Sequence, residues 1–426
     1  MTLKVWIGIV TGAVCLFLGS WSLLHHGTLG RGQIMDTKVY VKYGRKIVHG
    51  KVPYRDFSLE YPPAALPVII APALIADRRP AYDRWFDREM ALCGCLALLA
   101  SALCLRRLDA GARRTAAALG LVALSPLLIG SVILSRFDLW PTALAVSALA
   151  ALLWDRRVTA AVLLGAAIGA KLWPAALLPL ACIWLVRRHG FRAAAWFGGV
   201  TGLVTAAIFL PFTALSPHGI GHSFYRQFAR PLQIESLGAS VLIALHRVAH
   251  LRLGTTYGWG SQNVGGPYVH ATELATSVLG VALLVAVWAL FARGPATPAR
   301  LVTSAAAAVV TLLAFGKVFS PQFLIWIVPF VVLVGGRRGI AAGALAAASL
   351  GLTHLWFPHH YEVLATFYAR PSFEVLLRNL TVVTLAALLM WPLSEREALG
   401  EHRSRLEGSS EEGLKSAGAA VPSEGS

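Results

Sequence analysis

The feature that constrains this chain most is a succession of apolar runs separated by short loops rich in arginine. A helix needs about 20 mostly apolar residues to cross the hydrocarbon core of a bilayer, and runs such as 5–24 and 193–215 reach that length. The runs are continuous rather than alternating, which is typical of membrane helices and not of the strands of a membrane barrel. The sequence therefore predicts an all-α, polytopic membrane protein.

Composition excludes several other classes of protein. Only 14% of the 426 residues are charged and 56% are hydrophobic, whereas a soluble domain has about 25% charged residues. An ordinary soluble enzyme or a disordered protein is therefore excluded. The five cysteines lie inside apolar runs and form no CxxC pair, which disfavours a zinc site or a disulfide-stapled domain.

The net charge of +17 is distributed in a pattern typical of membrane topology rather than of nucleic-acid binding. Arginine pairs such as 106–107, 156–157, 187–188 and 337–338 lie in short loops between apolar runs. Basic residues concentrate in cytoplasmic loops, so placing these loops inside gives about twelve spans with both termini cytoplasmic, provided that 62–76 does not cross. We predict these spans at roughly 5–24, 87–105, 115–134, 139–154, 158–170, 172–186, 193–215, 271–292, 301–316, 323–335, 340–357 and 373–393.

Two local patterns refine this scheme. Gly165 and Gly169 form a small-xxx-small step that permits close packing of two helices. Residues 394–426 are rich in Ser, Gly and Glu and cannot bury a core, so they are expected to form a disordered cytoplasmic tail. The predicted organisation is therefore a membrane domain over residues 1–393 followed by this tail.

With this topology, the polar residues that flank the spans collect on the outer side of the membrane. Ionisable groups at the ends of membrane segments are costly and often functional, so their convergence favours an active site at the outer membrane–water boundary. The alternative is scattered interfacial charge with snorkelling side chains. The residues concerned are Asp36, Glu60, Arg136, Asp138, Lys171, Arg230, Glu235 and Lys317.

Individual residues in this set have competing interpretations. Asp36 could be a general base toward a hydroxyl group, or the N-cap of an amphipathic stretch over 37–48. Lys171, in the turn of a tight hairpin, suits a lipid phosphate, or it could snorkel to the interface. Arg136 could bind phosphate through two hydrogen bonds, or pair with Asp138.

The same ambiguity applies to three further candidates. Lys317, which precedes the Ser-Pro step at 320–321, could bind phosphate or be structural. Gln233 and Glu235 could contact sugar hydroxyls, or their loop could cap the next helix through Ser236, a suitable N-cap residue.

Several motifs of known chemistry do not occur. The sequence contains no P-loop, no GxGxxG and no second aspartate that would make a DxD motif with Asp36. The histidine pairs lack the zincin pattern, so neither a metal nor another cofactor is expected. Because the chain has no nucleotide-binding motif, any chemical group that it transfers is expected to arrive on a lipid carrier and not on a nucleotide. The competing class is a transporter or lipid flippase, although transporters place ionisable groups near the bilayer midplane and often contain internal repeats.

The outer segments also resemble a known family. Asp36 and Tyr40, the segments 50–57 (GKVPYRDF) and 60–63 (EYPP), and the matches at 165–174 and 320–322 are similar to glycosyltransferase family 87 of the C-type (GT-C) superfamily. The resemblance implies a polyprenyl-phosphate-mannose-dependent mannosyltransferase of actinobacterial type, which acts at the outer face of the plasma membrane. It implies inversion at the sugar and a cell-envelope glycolipid or glycan as the acceptor.

The resemblance also assigns roles to individual residues. Asp36 matches the position of the family's catalytic aspartate, and Lys171 matches a basic position near the donor phosphate. The predicted site accordingly has Asp36 as general base. Its phosphate-binding residues are Lys171, Arg136 and Lys317, and its substrate-binding residues are Glu60, Asp138, Arg230, Gln233, Glu235 and Gln322.

Overall fold

In a computed structural model that describes residues 1–26, 35–76 and 78–391, the apolar runs form helices. In the first half of the chain these are α1 (Leu3–Leu23), α2 (Thr37–Val48), α3 (Leu66–Ile75), α4 (Arg79–Arg107), α5 (Ala112–Ile129), α6 (Leu139–Leu153), α7 (Arg157–Ala170), α8 (Leu178–His189) and α9 (Phe191–Leu215). The second half contains α10 (Pro217–Phe228), α11 (Leu237–Ala249), α12 (Val269–Arg293), α13 (Pro298–Ala314), α14 (Leu324–Val331), α15 (Gly336–Trp356), α16 (Tyr361–Ala365) and α17 (Ala369–Met390). The predicted tail, 394–426, lies outside the described residues.

A single antiparallel hairpin interrupts the helices of the described chain. Strands β1 (Gly254–Gly258) and β2 (Ser261–Gly265) pair with Gly254 opposite Gly265. The hairpin lies between α11 and α12, between the predicted spans 193–215 and 271–292. The prediction of an all-α, polytopic membrane protein is confirmed.

Seven of these helices are long and apolar enough to cross a membrane: α1, α4, α5, α9, α12, α15 and α17. Exposed leucines such as Leu203 and Leu210 on α9 give these helices the apolar outer surface expected against lipid. Helices α6, α7, α8, α13 and α14 coincide with the other predicted spans but have only 8 to 17 residues. That these five also cross stays a prediction. Helix α3 has 10 residues, or about 15 Å, which fits a segment that does not cross.

Several predicted spans differ from the structure at their ends, and irregular segments account for three of these differences. Helix α5 ends at Ile129 rather than near 134 because Gly130 has φ +78°, a conformation that favours glycine, and a 3₁₀ turn follows over Ser131–Ser135. A second 3₁₀ turn, Trp173–Leu177, precedes α8, and a third, Pro321–Phe323, precedes α14, which ends at Val331. These irregular segments place polar side chains at the helix ends.

The glycine step packs as the sequence predicts. Helix α7 lies against α9, and a Cβ atom added to Gly165 would stand 2.8 Å from the carbonyl oxygen of Thr201. At Gly169 the added atom would lie 2.9 Å from Cδ1 of Ile208. Because neither position has room for a side chain, the two helix backbones approach closely just before the turn that carries Lys171.

Candidate active site

The centre of the site is an ion pair between Asp36 and Arg136. Asp36 stands in the N-cap position of α2, but its side chain makes no capping hydrogen bond. Its carboxylate instead meets the guanidinium of Arg136, which follows the 3₁₀ turn after α5. The Arg136 side chain is 8% exposed and that of Asp36 is 31% exposed, so the carboxylate forms the accessible side of the pair.

Asp138 pairs with Lys171 rather than with Arg136. The Nζ atom of Lys171 lies 2.6 Å from Oδ1 of Asp138, and the indole nitrogen of Trp326 donates to the same oxygen at 2.6 Å. Arg136 and Asp138 therefore pair with Asp36 and Lys171, respectively, and not with each other as the sequence also allowed. Asp138 is buried and fixes the position of the ammonium.

The Lys171 ammonium is also surrounded by aromatic rings. Its Nζ atom lies 5.0 Å from the ring centroid of Phe137, 4.8 Å from that of Phe323 and 4.9 Å from that of Trp326. Such cation–π contacts stabilise a cation that is partly removed from water. The Lys171 side chain is only 20% exposed. Its ammonium is therefore held between Asp138 and the aromatic rings and does not snorkel to the membrane–water interface.

The two cations are electrostatically coupled to the buried carboxylates. Burial lowers the pKa of Arg136 to about 10, against the attraction of Asp138 and Glu235. Burial also lowers the pKa of Lys171, and the ion pair with Asp138 opposes that shift. Arg136 therefore keeps its positive charge at neutral pH.

Glu235 is a fully buried carboxyl group close to this centre. Burial raises its pKa to about 8, despite the nearby charges of Arg378, Arg230 and Arg136. The side-chain amide of Gln233 donates to its carboxylate. This group is therefore largely protonated at neutral pH, unlike an ordinary surface glutamate.

The loop that carries Glu235 also caps the following helix. The backbone N–H of Ala239 donates to Oγ of Ser236 at 3.3 Å, so the proposed N-cap is formed. The amide nitrogen of Gln233, which donates to Glu235, also donates to Oγ of Ser320 at 2.9 Å. The capping role is therefore carried by Ser236, and the Gln233 and Glu235 side chains face the site.

Glu60 and Arg230 extend the charged cluster on another side. Arg230 donates to Oγ of Ser261 in the hairpin at 3.2 Å. Burial lowers the pKa of Arg230, whereas the charges of Glu60 and Glu235 act to raise it. Glu60 also lies 4.0 Å from Arg226 of α10. The loop before α3, the loop after α10 and the hairpin thus contribute to one polar region.

The last two candidate residues are Lys317 and Gln322. The Nζ atom of Lys317 lies 2.8 Å from Oε1 of Glu273 and donates to the carbonyl oxygen of Phe228 at 2.7 Å. Gln322 is half-buried in the 3₁₀ turn beside Phe323. Of the three predicted phosphate-binding cations, the structure brings Arg136 and Lys171 together, whereas the Lys317 ammonium pairs with Glu273 and the Lys317 carbonyl oxygen accepts from the N–H of Gln233 at 2.9 Å.

Aromatic side chains that the sequence did not indicate form a further part of the site. Tyr40 is buried, and its ring centroid lies 5.6 Å from that of Tyr61 and 6.0 Å from that of Phe137. Trp326 stacks on Trp173 with 5.2 Å between ring centroids. Tyr40 and Tyr61 stand in the segments that carry the family resemblance, which was a usable signal. Trp326 lies inside an apolar run, where nothing marks it as different from a core residue.

The arrangement suits a reaction that removes a proton and produces an anion. A partly exposed carboxylate can accept the proton, and two positioned cations can stabilise developing negative charge. Within residues 1–26, 35–76 and 78–391, no group of three or more His, Cys, Asp or Glu side chains comes together to hold a metal ion.

A comparison with known families gives one match. The profile of glycosyltransferase family 87 matches residues 59–321, which is more than half of the chain. No curated protein matches the chain. The matched range contains Arg136, Lys171 and Glu235, whereas Asp36 and Gln322 lie outside it.

Proposed function

The chain belongs to glycosyltransferase family 87, and from this membership we propose that it transfers mannose from a polyprenyl-phosphate carrier to a cell-envelope glycolipid or glycan. Membership and the apolar helices make the protein a multi-pass membrane glycosyltransferase. The observation that carries the finer proposal is the cluster of the Asp36–Arg136 and Lys171–Asp138 pairs at the ends of short helices.

The two cations suit a donor whose leaving group is a lipid phosphate. When the bond between the anomeric carbon and the phosphate oxygen breaks, the phosphate takes the electron pair and gains negative charge. Arg136 offers a planar fork of N–H donors and Lys171 a compact charge, and both stabilise that anion. In the structure each cation faces a carboxylate, so a donor phosphate would compete with Asp36 for Arg136.

Asp36 is suited to the role of general base. The acceptor hydroxyl attacks the anomeric carbon from the side opposite the phosphate, which inverts the configuration, and its proton passes to the carboxylate. An aspartate side chain in water has a pKa of about 3.9 and is ionised at neutral pH. The 31% exposure of Asp36 leaves its carboxylate open to an incoming alcohol.

The positions of the charged residues along α6 support an outer location for the site. Asp138 immediately precedes α6, and Arg156 and Arg157 follow its other end. With 15 residues, the helix is about 22 Å long. If the arginines face the cytoplasm, the site faces outward. In the proposed topology both termini lie in the cytoplasm. The membrane would be a plasma membrane of actinobacterial type.

A donor assay tests this proposal. Full-length protein in vesicles is given labelled polyprenyl-phosphate mannose or GDP-mannose, together with a cell-envelope lipid extract as acceptor. We expect label in a glycolipid product from the lipid donor alone. Transfer from GDP-mannose would contradict the proposed donor, and transfer from the arabinose-bearing carrier in place of mannose would contradict the proposed sugar.

The same vesicles separate the transferase from a transporter. A transporter would move the labelled carrier across the bilayer without forming a covalent product. Translocation in the absence of any glycolipid product would therefore overturn the proposed reaction and favour the flippase alternative.

A further inference from the structure

A cavity of about 410 Å³ opens at the end of the molecule opposite the proposed site. It is lined by Met1, by Trp6 of α1, by Arg106 and Arg107 at the end of α4, by Asp109 and by Trp154. Trp154 follows the end of α6 that lies away from Asp138, so about 22 Å of helix separates the cavity from the site. The sugar-transfer reaction leaves this cavity unused.

The cavity presents more positive than negative charge. The Arg106 guanidinium lies over the Trp6 ring, 5.0 Å from its centroid. Nε of Arg107 donates to the carbonyl oxygen of Leu153 at 3.1 Å. Within the described ranges neither guanidinium forms an ion pair with a carboxylate, and Asp109 is the one acidic residue in the lining. The positive groups of the lining therefore outnumber the single carboxylate of Asp109, and the cavity carries a net positive charge.

A second, independent feature is an indole donor without an acceptor. Nε1 of Trp6 is buried and has no hydrogen-bond partner within the described part of the chain. By contrast, Nε1 of Trp154 donates to the carbonyl oxygen of Leu103 at 3.1 Å. A buried donor left unpaired is unfavourable, and Trp6 lines the cavity, so we expect its indole N–H to donate to an acceptor atom of the bound ligand.

We propose that this cavity binds the headgroup phosphate of an anionic phospholipid. Phosphate oxygens match the forked N–H donors of Arg106 and Arg107, and the headgroup supplies negative charge to a lining that is net positive. Tryptophans are favoured at the level of lipid headgroups, where Trp6 and Trp154 border the cavity. Exposed apolar residues beside it, such as Val5 and Leu103, offer a surface for the acyl chains.

Lipid retention tests the proposal without any sugar donor. Full-length protein is incubated in detergent with equimolar phosphatidylglycerol, phosphatidylethanolamine and phosphatidylcholine, and bound lipid is measured by native mass spectrometry. We expect preferential retention of phosphatidylglycerol by the wild type. Arg106→Gln should bind it about tenfold more weakly, the effect of losing a charge-assisted contact of about 1.4 kcal/mol.

The matched control is Arg113→Gln, which removes an exposed arginine close in sequence but outside the cavity. This variant should retain the lipid as the wild type does. Equal retention by Arg106→Gln, or no preference for phosphatidylglycerol over the zwitterionic lipids, would overturn the proposal. Displacement by an equal concentration of inorganic phosphate would identify a free-anion site instead and would also overturn it.

Trp6→Phe provides a second variant if Arg106→Gln does not fold. Phenylalanine keeps a ring under Arg106 but removes the indole N–H, so we expect several-fold weaker retention of phosphatidylglycerol. Unchanged retention would contradict the part assigned to Trp6. Because every readout is lipid binding, failure of this proposal is distinguishable from failure of the proposed sugar transfer.

Discussion

At the scale of single residues, the phosphate-binding role proposed for Lys171 is combined with a structural role. Its ammonium satisfies the buried carboxylate of Asp138 and lies among three aromatic rings. Removing it therefore leaves a buried charge without its main partner, which destabilises the fold as well as the site. A single substitution cannot separate these two effects.

A double variant separates them. Lys171→Met should raise the KM for the lipid donor at least tenfold and lower the melting temperature, since Asp138 loses its cation. Lys171→Met combined with Asp138→Asn removes the unpaired charge, and the asparagine oxygen can still accept from Trp326. We expect the double variant to regain most of the stability while its donor KM stays high, measured by thermal unfolding and steady-state kinetics. A donor KM that recovers together with stability would show that Lys171 is purely structural.

Glu235 gives a prediction about pH. Burial raises its pKa to about 8 in the folded protein, whereas an unfolded chain releases that proton near pH 4.3. Between about pH 4.5 and 8 the native state therefore binds more protons than the unfolded state, and the free energy of unfolding falls as pH rises. Glu235→Gln should make the decline in melting temperature between pH 5 and pH 8 shallower than in the wild type.

The matched control is Glu362→Gln, which removes an exposed carboxylate in α16. It should keep the wild-type slope of melting temperature against pH. If Glu235→Gln also keeps that slope, the buried carboxyl group does not hold its proton as described.

At the scale of secondary structure, hydropathy predicted the helices but not the turns between them. The run 131–134 (SVIL) is apolar and continues the pattern of α5, so the sequence indicated a span to about 134. The helix instead ends at Ile129 because Gly130 adopts a positive φ. The resulting turn presents Arg136 to Asp36, a contact that no periodicity could indicate.

The glycine step between α7 and α9 can be tested directly. Gly165→Ala places a methyl group 2.8 Å from the carbonyl oxygen of Thr201, so the helices must separate. We expect a melting temperature several degrees lower, because overpacking costs about 1–3 kcal/mol. Gly202→Ala in α9 is the control, since an added Cβ there meets nothing within 4 Å and alanine favours the helix. Equal stability of both variants would contradict the close packing.

At the scale of the whole molecule, the chain separates two kinds of positive charge. Arg136 and Lys171 lie buried among carboxylates near one end of α6, whereas Arg106 and Arg107 lie near the other end. The sequence predicted that the outer polar residues would converge, because the arginine loops fixed a common side for them. It could not tell which would pair, since the partners come from segments far apart in the chain.

Cysteine labelling tests the orientation that follows from this separation. In a background without the five native cysteines, Tyr257→Cys at the hairpin and Arg113→Cys at the start of α5 are treated with a membrane-impermeant maleimide on intact cells. We expect immediate labelling at 257 and labelling at 113 only after permeabilisation. The reverse pattern would place the proposed site in the cytoplasm and contradict its outer location.

The most direct measurement is the transfer rate of Asp36→Asn with polyprenyl-phosphate mannose. Asparagine keeps an oxygen that can accept from Arg136 but cannot take up the proton, so the rate should fall about 10²- to 10⁴-fold in a protein that is still folded and inserted in the membrane. Asp56→Asn, which alters an exposed carboxylate paired with Arg55, should transfer at the wild-type rate. A wild-type rate in Asp36→Asn would contradict the assignment of Asp36 as the general base.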